Sequence, residues 1–238
     1  RCFVKVTIPE GSSLRTMDII LSNAGLCSPN AFLEYASKAQ PEFIPSHDIL
    51  RKDTTYSLEG YLFPETYLFD KGVSLHTMAN TMLVEFEKRI LPIWKESPEQ
   101  PYSIHQILTL ASMIEKEAQV PTEMPTISSV FRNRLHRNMK LASDPTVLYA
   151  LGEPKKEIVT FKDLEVVSSY NTYMFTGLPP GPIAAPSLEA FKAALDPAKT
   201  PYLFFVANQD GSGTHHFSRT FSEHEQARIA ILRRKDSR

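Results

Sequence analysis

Ile104-His105-Gln106-Ile107-Leu108-Thr109-Leu110-Ala111-Ser112-Met113-Ile114-Glu115-Lys116-Glu117-Ala118-Gln119 is the stretch on which the fold reading turns. Placed at about 100° per residue around a helix, Ile104, Ile107, Leu108, Ala111, Ile114 and Ala118 fall on one side. Leu110 and Met113 widen that arc, and His105, Thr109, Ser112, Lys116 and Gln119 make the polar remainder. Pro121 breaks the pattern. Glu115 falls inside the apolar arc and Glu117 on its flank, near Leu110 and Ile114, while Lys116 points to solvent. Glutamate is seldom buried unless it is paired or functional. Burial disfavours the charged form, and the negative end of the helix dipole pushes the same way in the last turn. A carboxyl kept protonated near neutral pH is what a general acid requires. A structural ion pair with Arg132 or Arg134 from the next helix is the alternative, and spacing alone does not choose between Glu115 and Glu117.

Outward from this helix, residues 3–8 alternate like a strand, and Ser12 or Ser13 can cap a helix through Asn23. A short helix is expected over Pro29–Lys38, followed by a polar, irregular stretch over 41–57. Glu59, Tyr61, Phe63, Glu65 and Tyr67 recur at period two, which reads as a core strand turning at Pro64. The same side chains suit sugars, whose apolar faces stack on aromatic rings and whose hydroxyl edges meet carboxylates. A helix over Leu75–Ile90 precedes a linker at Glu96–Pro101, which divides a lobe at 1–95 from one at 96–238. The second lobe continues with a helix over Glu123–Asn138 and a helix start at Asp144-Pro145, with Asp144 as the cap. A proline-rich loop over 170–187 is stiff enough to wall a ligand site. A helix over Leu188–Leu195, strands at 202–207 and 214–218 around a hairpin, and a helix over Ser222–Arg234 complete the chain. Helices and strands are segregated, so the fold class is α+β, with two lobes around a substrate cleft.

Composition narrows the function. The 238 residues carry 26 Lys+Arg against 27 Asp+Glu, a balance that argues against a nucleic-acid partner. No apolar run is long enough to span a membrane. The chain opens at Arg1 directly into a strand pattern, so a fragment of a longer protein is expected, with any anchor in the missing part. Cys2 and Cys27 fit no metal spacing and read as free thiols. His215 and His216 are adjacent on a strand and point to opposite faces; with His224 they give no ligand spacing, so no metal is expected. No nucleophile elbow, phosphate loop or dinucleotide fingerprint occurs, and no cofactor is expected.

Seven segments occur in an order that resembles one family. They are Leu58–Tyr67, Leu110–Glu117, Ser143–Val147, Tyr170–Tyr173, Gly177–Ile183, Asp196–Thr200 and Tyr202–Ala207. From about Val6 onward the chain resembles the catalytic region of the endolytic murein transglycosylases, the YceG-like family. The resemblance implies a bacterial enzyme held in the inner membrane by one N-terminal helix, with its body in the periplasm, behind a LysM-like region. It implies internal, non-hydrolytic cleavage of nascent peptidoglycan strands, leaving 1,6-anhydro-N-acetylmuramic acid ends, with glycan-polymerising synthases as further partners. It selects Glu117, the second Glu of Glu115-Lys116-Glu117, as the catalytic acid and then base. The expected glycan-binding set draws on Glu59, Tyr61 and Glu65 in the aromatic segment, and on Ser112 and Glu115 in the helix. Asp144, Thr146, Asn171, Tyr173 and His215 complete it. Ala142, Glu65 and Ala185-Pro186-Ser187 depart from the family's usual residues and bear on sugar binding more than on the chemistry.

Overall fold

Helix α5, Ile104–Glu117, is the axis of the structure. The computed structural model describes residues 3–39, 57–99, 101–152, 156 and 158–236. A capping box starts α5: Ser103 accepts from the Gln106 amide, and the Gln106 side chain accepts from Ser103 N. Every residue from Ile104 to Ile114 except Gln106 is buried. Leucines and isoleucines buried this completely each contribute about 1.5–3 kcal/mol. Of the polar residues expected on this helix, His105, Thr109 and Ser112 are buried as well, each with a partner, while Lys116 and Gln119 stay exposed. Thr109 Oγ1 donates to His105 O (2.7 Å), and Ser112 Oγ donates to Thr109 O (2.7 Å). Helices α6 (Met124–His136) and α8 (Leu188–Leu195) pack on α5 and form the larger core with it.

A second core gathers residues from the start of the chain. Strand β1 (Phe3–Thr7) pairs antiparallel with β2 (Thr66–Asp70), with Val6 opposite Tyr67. Helices α1 (Leu14–Asn23), α2 (Ala31–Lys38) and α3 (Leu75–Arg89) pack beneath that sheet around Leu14, Met17, Phe32, Met78 and Met82. Ser13 caps α1, as the sequence suggests. The aromatic segment corrects one expectation. Residues 57–62 form a buried turn rather than a strand, and the strand follows Pro64 instead of preceding it. Gly60 holds φ at +82°, and a Cβ there would lie 2.4 Å from the Pro182 side chain. The close seat of the proline-rich loop on this turn thus requires glycine.

Helix α4 (Leu91–Glu96) continues almost directly from α3, where the sequence offered only the approach to a linker. Proline is tolerated in a first turn, so Pro92 starts α4 rather than ending α3. Helix α7 (Asp144–Leu151) is capped one residue earlier than expected: Ser143 is the cap and Asp144 the first helical residue. Strands β3 (Phe204–Ala207) and β4 (His215–Ser218) form an antiparallel hairpin, and α9 (Phe221–Asp236) lies against it. The irregular stretch expected over 41–57 falls, apart from Ser57, outside the described residues, as does Cys2; Cys27 is a free thiol.

Candidate active site

Glu117 is the last residue of α5, just before the chain becomes extended at Ala118. It is half-buried, and the part of it that remains open faces a pocket of about 500 Å³. The start of α1 supplies one wall through Gly11, Ser13, Arg15 and Thr16. One face of α7 supplies another through Pro145, Leu148 and Tyr149, and His215 stands at the head of β4. Loss of water around Glu117 pushes its pKa up to about 7. The Ser143 hydroxyl, which donates to Glu117 Oε1 at 2.6 Å, and the Arg134 charge pull it down, while the Asp144 charge pushes it up. The one hydrogen bond to its carboxyl among the described residues is on Oε1, which leaves Oε2 unpartnered on a residue that lines the pocket. A carboxyl near half-protonation at neutral pH can both give and take a proton.

Arg134 does not close an ion pair over Glu117. Its Nε donates to Leu203 O and its Nη1 to Leu141 O, each at 2.6 Å, and the guanidinium lies 5.3 Å from the Phe204 ring centre. Burial lowers its own pKa. Arg132 donates to Ala194 O and sits over the Tyr102 ring at 4.1 Å. The alternative of a plain structural pair for Glu117 therefore loses its simplest form.

Of the expected binding residues, the structure brings Asp144 and His215 to the same pocket as Glu117. Tyr173 stands behind Asp144 and donates to its Oδ1 at 2.6 Å. Burial and the neighbouring Asp144 raise the pKa of that phenol, so it stays protonated. The remaining candidates do not line the pocket, and each has an internal partner. Thr146 donates to Ser143 O (2.7 Å) and so holds the turn that aims Ser143 at Glu117. Asn171 donates to Leu164 O and Val166 O and accepts from Tyr173 N. Ser112 accepts from Ile183 N at 3.0 Å, pinning the end of the proline-rich loop. Glu115 accepts from Ser187 N (2.9 Å) and Ser187 Oγ (2.5 Å), at the start of α8. Tyr61 is wholly buried; its hydroxyl meets His105 Nδ1 at 2.7 Å, and His105 Nε2 meets Pro180 O at 2.8 Å. Glu59 is buried beneath Tyr149 and accepts from Leu14 N and the Tyr149 hydroxyl. Glu65 is on the outside, 3.7 Å from Arg89. Side-chain type suggested sugar contact for these residues; apart from Glu65, which stays at the surface, their side chains are engaged by internal partners away from the pocket lining.

Ser143, Tyr149 and Glu123 are the groups around the site that the sequence reading missed: Tyr149 lines the pocket, Ser143 holds Glu117 and Glu123 holds His215. Ser143 carried a signal, a hydroxyl directly before an Asp-Pro helix start. Among the described residues no three of His, Cys, Asp or Glu group closely enough to hold a metal ion. On β4, His215 faces the pocket side and His216 is exposed on the other.

Fold and site together define an α+β protein built on a buried helix whose terminal carboxyl opens on a walled pocket. The YceG-like family model matches residues 2–229, and the chain belongs to the YceG-like family. It is 36% identical over 244 residues to a Bacillus subtilis (strain 168) protein named endolytic murein transglycosylase, covering 98% of this chain and 67% of that protein. A protein of the same name from Streptococcus pneumoniae (strain D39) is 31% identical over 199 residues, covering 82% of this chain but 36% of its own length. The chain therefore spans about a third of the streptococcal relative. A crystal structure of a yceG-like protein from Listeria monocytogenes superposes with a TM-score of 0.80 at 40% identity, covering 94% of this chain and 75% of that one.

Proposed function

We propose that this chain is the catalytic region of an endolytic murein transglycosylase, with Glu117 as its catalytic residue. The observation that carries the reading is a pocket-facing carboxyl, lifted to about 7 by burial, in a family whose named relatives are murein transglycosylases. Glu117, protonated on the open oxygen, gives its proton to the glycosidic oxygen between N-acetylmuramic acid and N-acetylglucosamine. The bond to C1 breaks and an oxocarbenium-like centre develops there. The Glu117 carboxylate then takes the proton of the muramyl 6-hydroxyl as that oxygen closes on C1, and the acid form is restored. Donor and acceptor are one group, so no second carboxylate is needed, unlike in most glycosidases. Ser143 orients the carboxylate and stabilises its charged half-cycle. Ile183 and Tyr149 narrow the pocket, which disfavours attack by water at C1.

Asp144 and His215 are the direct glycan contacts in this reading, and Glu59, Tyr61, Ser112, Glu115, Thr146, Asn171 and Tyr173 shape the site behind them. The division into lobes 1–95 and 96–238 belongs to the same proposal, as do a cell-wall location outside the cytoplasmic membrane, an N-terminal membrane anchor and glycan-polymerising synthases as partners. Among the described residues no helix is long and apolar enough to cross a membrane.

Digestion of purified peptidoglycan by the full chain and by Glu117→Gln, followed by mass spectrometry of the products, tests the reading. Anhydromuramyl ends from the parent alone are the expected result. Reducing ends would mean hydrolysis, and no cleavage by a folded parent would leave a glycan-binding module.

A further inference from the structure

His215, which lines the pocket, is paired with a side chain that the proton cycle of Glu117 does not use. Glu123 ends the short 3₁₀ turn Pro121–Glu123 that links α5 to α6. Its carboxylate accepts from the backbone N–H of His215, at 3.0 Å to one oxygen and 3.1 Å to the other, and meets the imidazole Nδ1 at 2.8 Å. Both side chains are largely withdrawn from solvent, with 7% exposure for His215 and 15% for Glu123. One carboxylate thus holds the strand end and the ring together. The ring is further confined by Phe205, edge-on at 5.4 Å, and by Phe217 at 6.3 Å.

A carboxylate can only accept. Nδ1 therefore carries a hydrogen whether the ring is neutral or charged, and in the neutral ring Nε2 is an acceptor. Nε2 has no hydrogen-bond partner among the described residues and is not enclosed, and His215 lines the same pocket as Glu117. A fixed ring, a fixed tautomer and one unpartnered acceptor atom on a side chain that lines the pocket make a site for a hydroxyl donor.

We propose that Glu123 is a positioning residue that locks His215 as the Nδ1–H tautomer, so that Nε2 accepts a hydrogen bond from a hydroxyl of the amino sugar held against Glu117. This rests on the glycan reading above and adds to it the residue pair that reads the sugar from the other wall. The backbone N–H of His215 lies 3.0 Å from one Glu123 oxygen and Nδ1 lies 2.8 Å from the other, so an amide whose oxygen keeps the backbone bond presents its N–H to Nδ1. Glu123→Gln therefore moves the ring hydrogen to Nε2 and turns the pocket-facing atom from an acceptor into a donor.

The test uses ¹⁵N NMR of histidine-labelled full chain and a binding titration. In the parent, His215 is expected to show a protonated Nδ1 and an unprotonated Nε2, with Nε2 shifting when a muramyl-containing glycan oligosaccharide is added. Glu123→Gln is expected to show the reversed tautomer. In the non-cleaving Glu117→Gln background, adding Glu123→Gln is expected to weaken oligosaccharide binding about tenfold, the scale of one lost hydrogen bond with its partner left unsatisfied. A parent ring protonated at Nε2 overturns the proposal, and this measurement needs no variant to fold. Unchanged affinity despite a reversed tautomer overturns it too. Because binding is read without turnover, failure here is separate from failure of the lytic reaction, which would appear as a parent that leaves no anhydromuramyl ends.

Discussion

Glu59 and Glu117 are two carboxyls of one kind in two settings. Burial raises the pKa of both, to about 8 for Glu59 and about 7 for Glu117. Glu59 is closed in: both its oxygens take the Leu14 N–H, at 3.0 and 3.2 Å, and one also takes the Tyr149 hydroxyl at 3.1 Å. Glu117 has one donor, Ser143, and an oxygen left open to the pocket. A raised pKa therefore does not mark a reacting group by itself. What separates the two is a face that a substrate can reach, and the donors around Glu59 have used its faces to start α1 and to hold Tyr149.

Breaking the open carboxyl has the largest expected effect. Glu117→Gln lowers glycan cleavage by about a thousandfold, within the range for loss of a general acid, while the protein still melts cooperatively. In the parent, kcat/KM falls as pH rises through about 7, because the acid form is lost. Breaking the closed carboxyl acts on the fold instead. Glu59→Ala leaves the Leu14 N–H and the Tyr149 hydroxyl without their acceptor and opens a cavity. It costs about 2–4 kcal/mol in denaturant unfolding at pH 6. Ser143→Ala sharpens the comparison by removing the one donor on Glu117. The charged form loses support, so the falling limb of the pH profile moves to higher pH, with a few-fold change in rate at pH 7.

A last effect is read in stability against pH. The folded chain keeps the Glu59 proton up to about 8, whereas the unfolded chain releases it near the ordinary value of 4.5. Stability from this group is thus full below the unfolded value and is lost as pH rises toward 8. Glu59→Gln removes that loss, making the slope between pH 5 and 8 shallower by at most about 1.4 kcal/mol per pH unit. Glycan cleavage by this variant stays within a few-fold of the parent, in contrast to Glu117→Gln.

The period of α5 was legible because apolar residues three and four apart dominate it, and its faces were not. His105 and Ser112 read only as part of the polar remainder, yet each holds the proline-rich loop about seventy residues later, a partner that spacing within one helix cannot reveal. The aromatic alternation over 59–67 imitated a strand because nothing within the segment shows that Gly60 turns at φ +82° beneath Pro182, a partner far along the chain. Choosing Glu117 over Glu115 came from family resemblance. The physical difference between them, a pocket for one and Ser187 for the other, is tertiary. Glu123 gave no sign in the sequence, since its meaning comes from a hairpin ninety-two positions away.

The burial of α5 has a consequence for motion. Its residues from Ile107 to Ile114 are buried under the packed helices and the end of the proline-rich loop, so hydrogen exchange there is expected to require opening on the scale of the whole molecule. The proposed catalytic carboxyl is thereby mounted at the end of the most deeply buried helix among the described residues, and any adaptation to a bound chain falls to the loops around it.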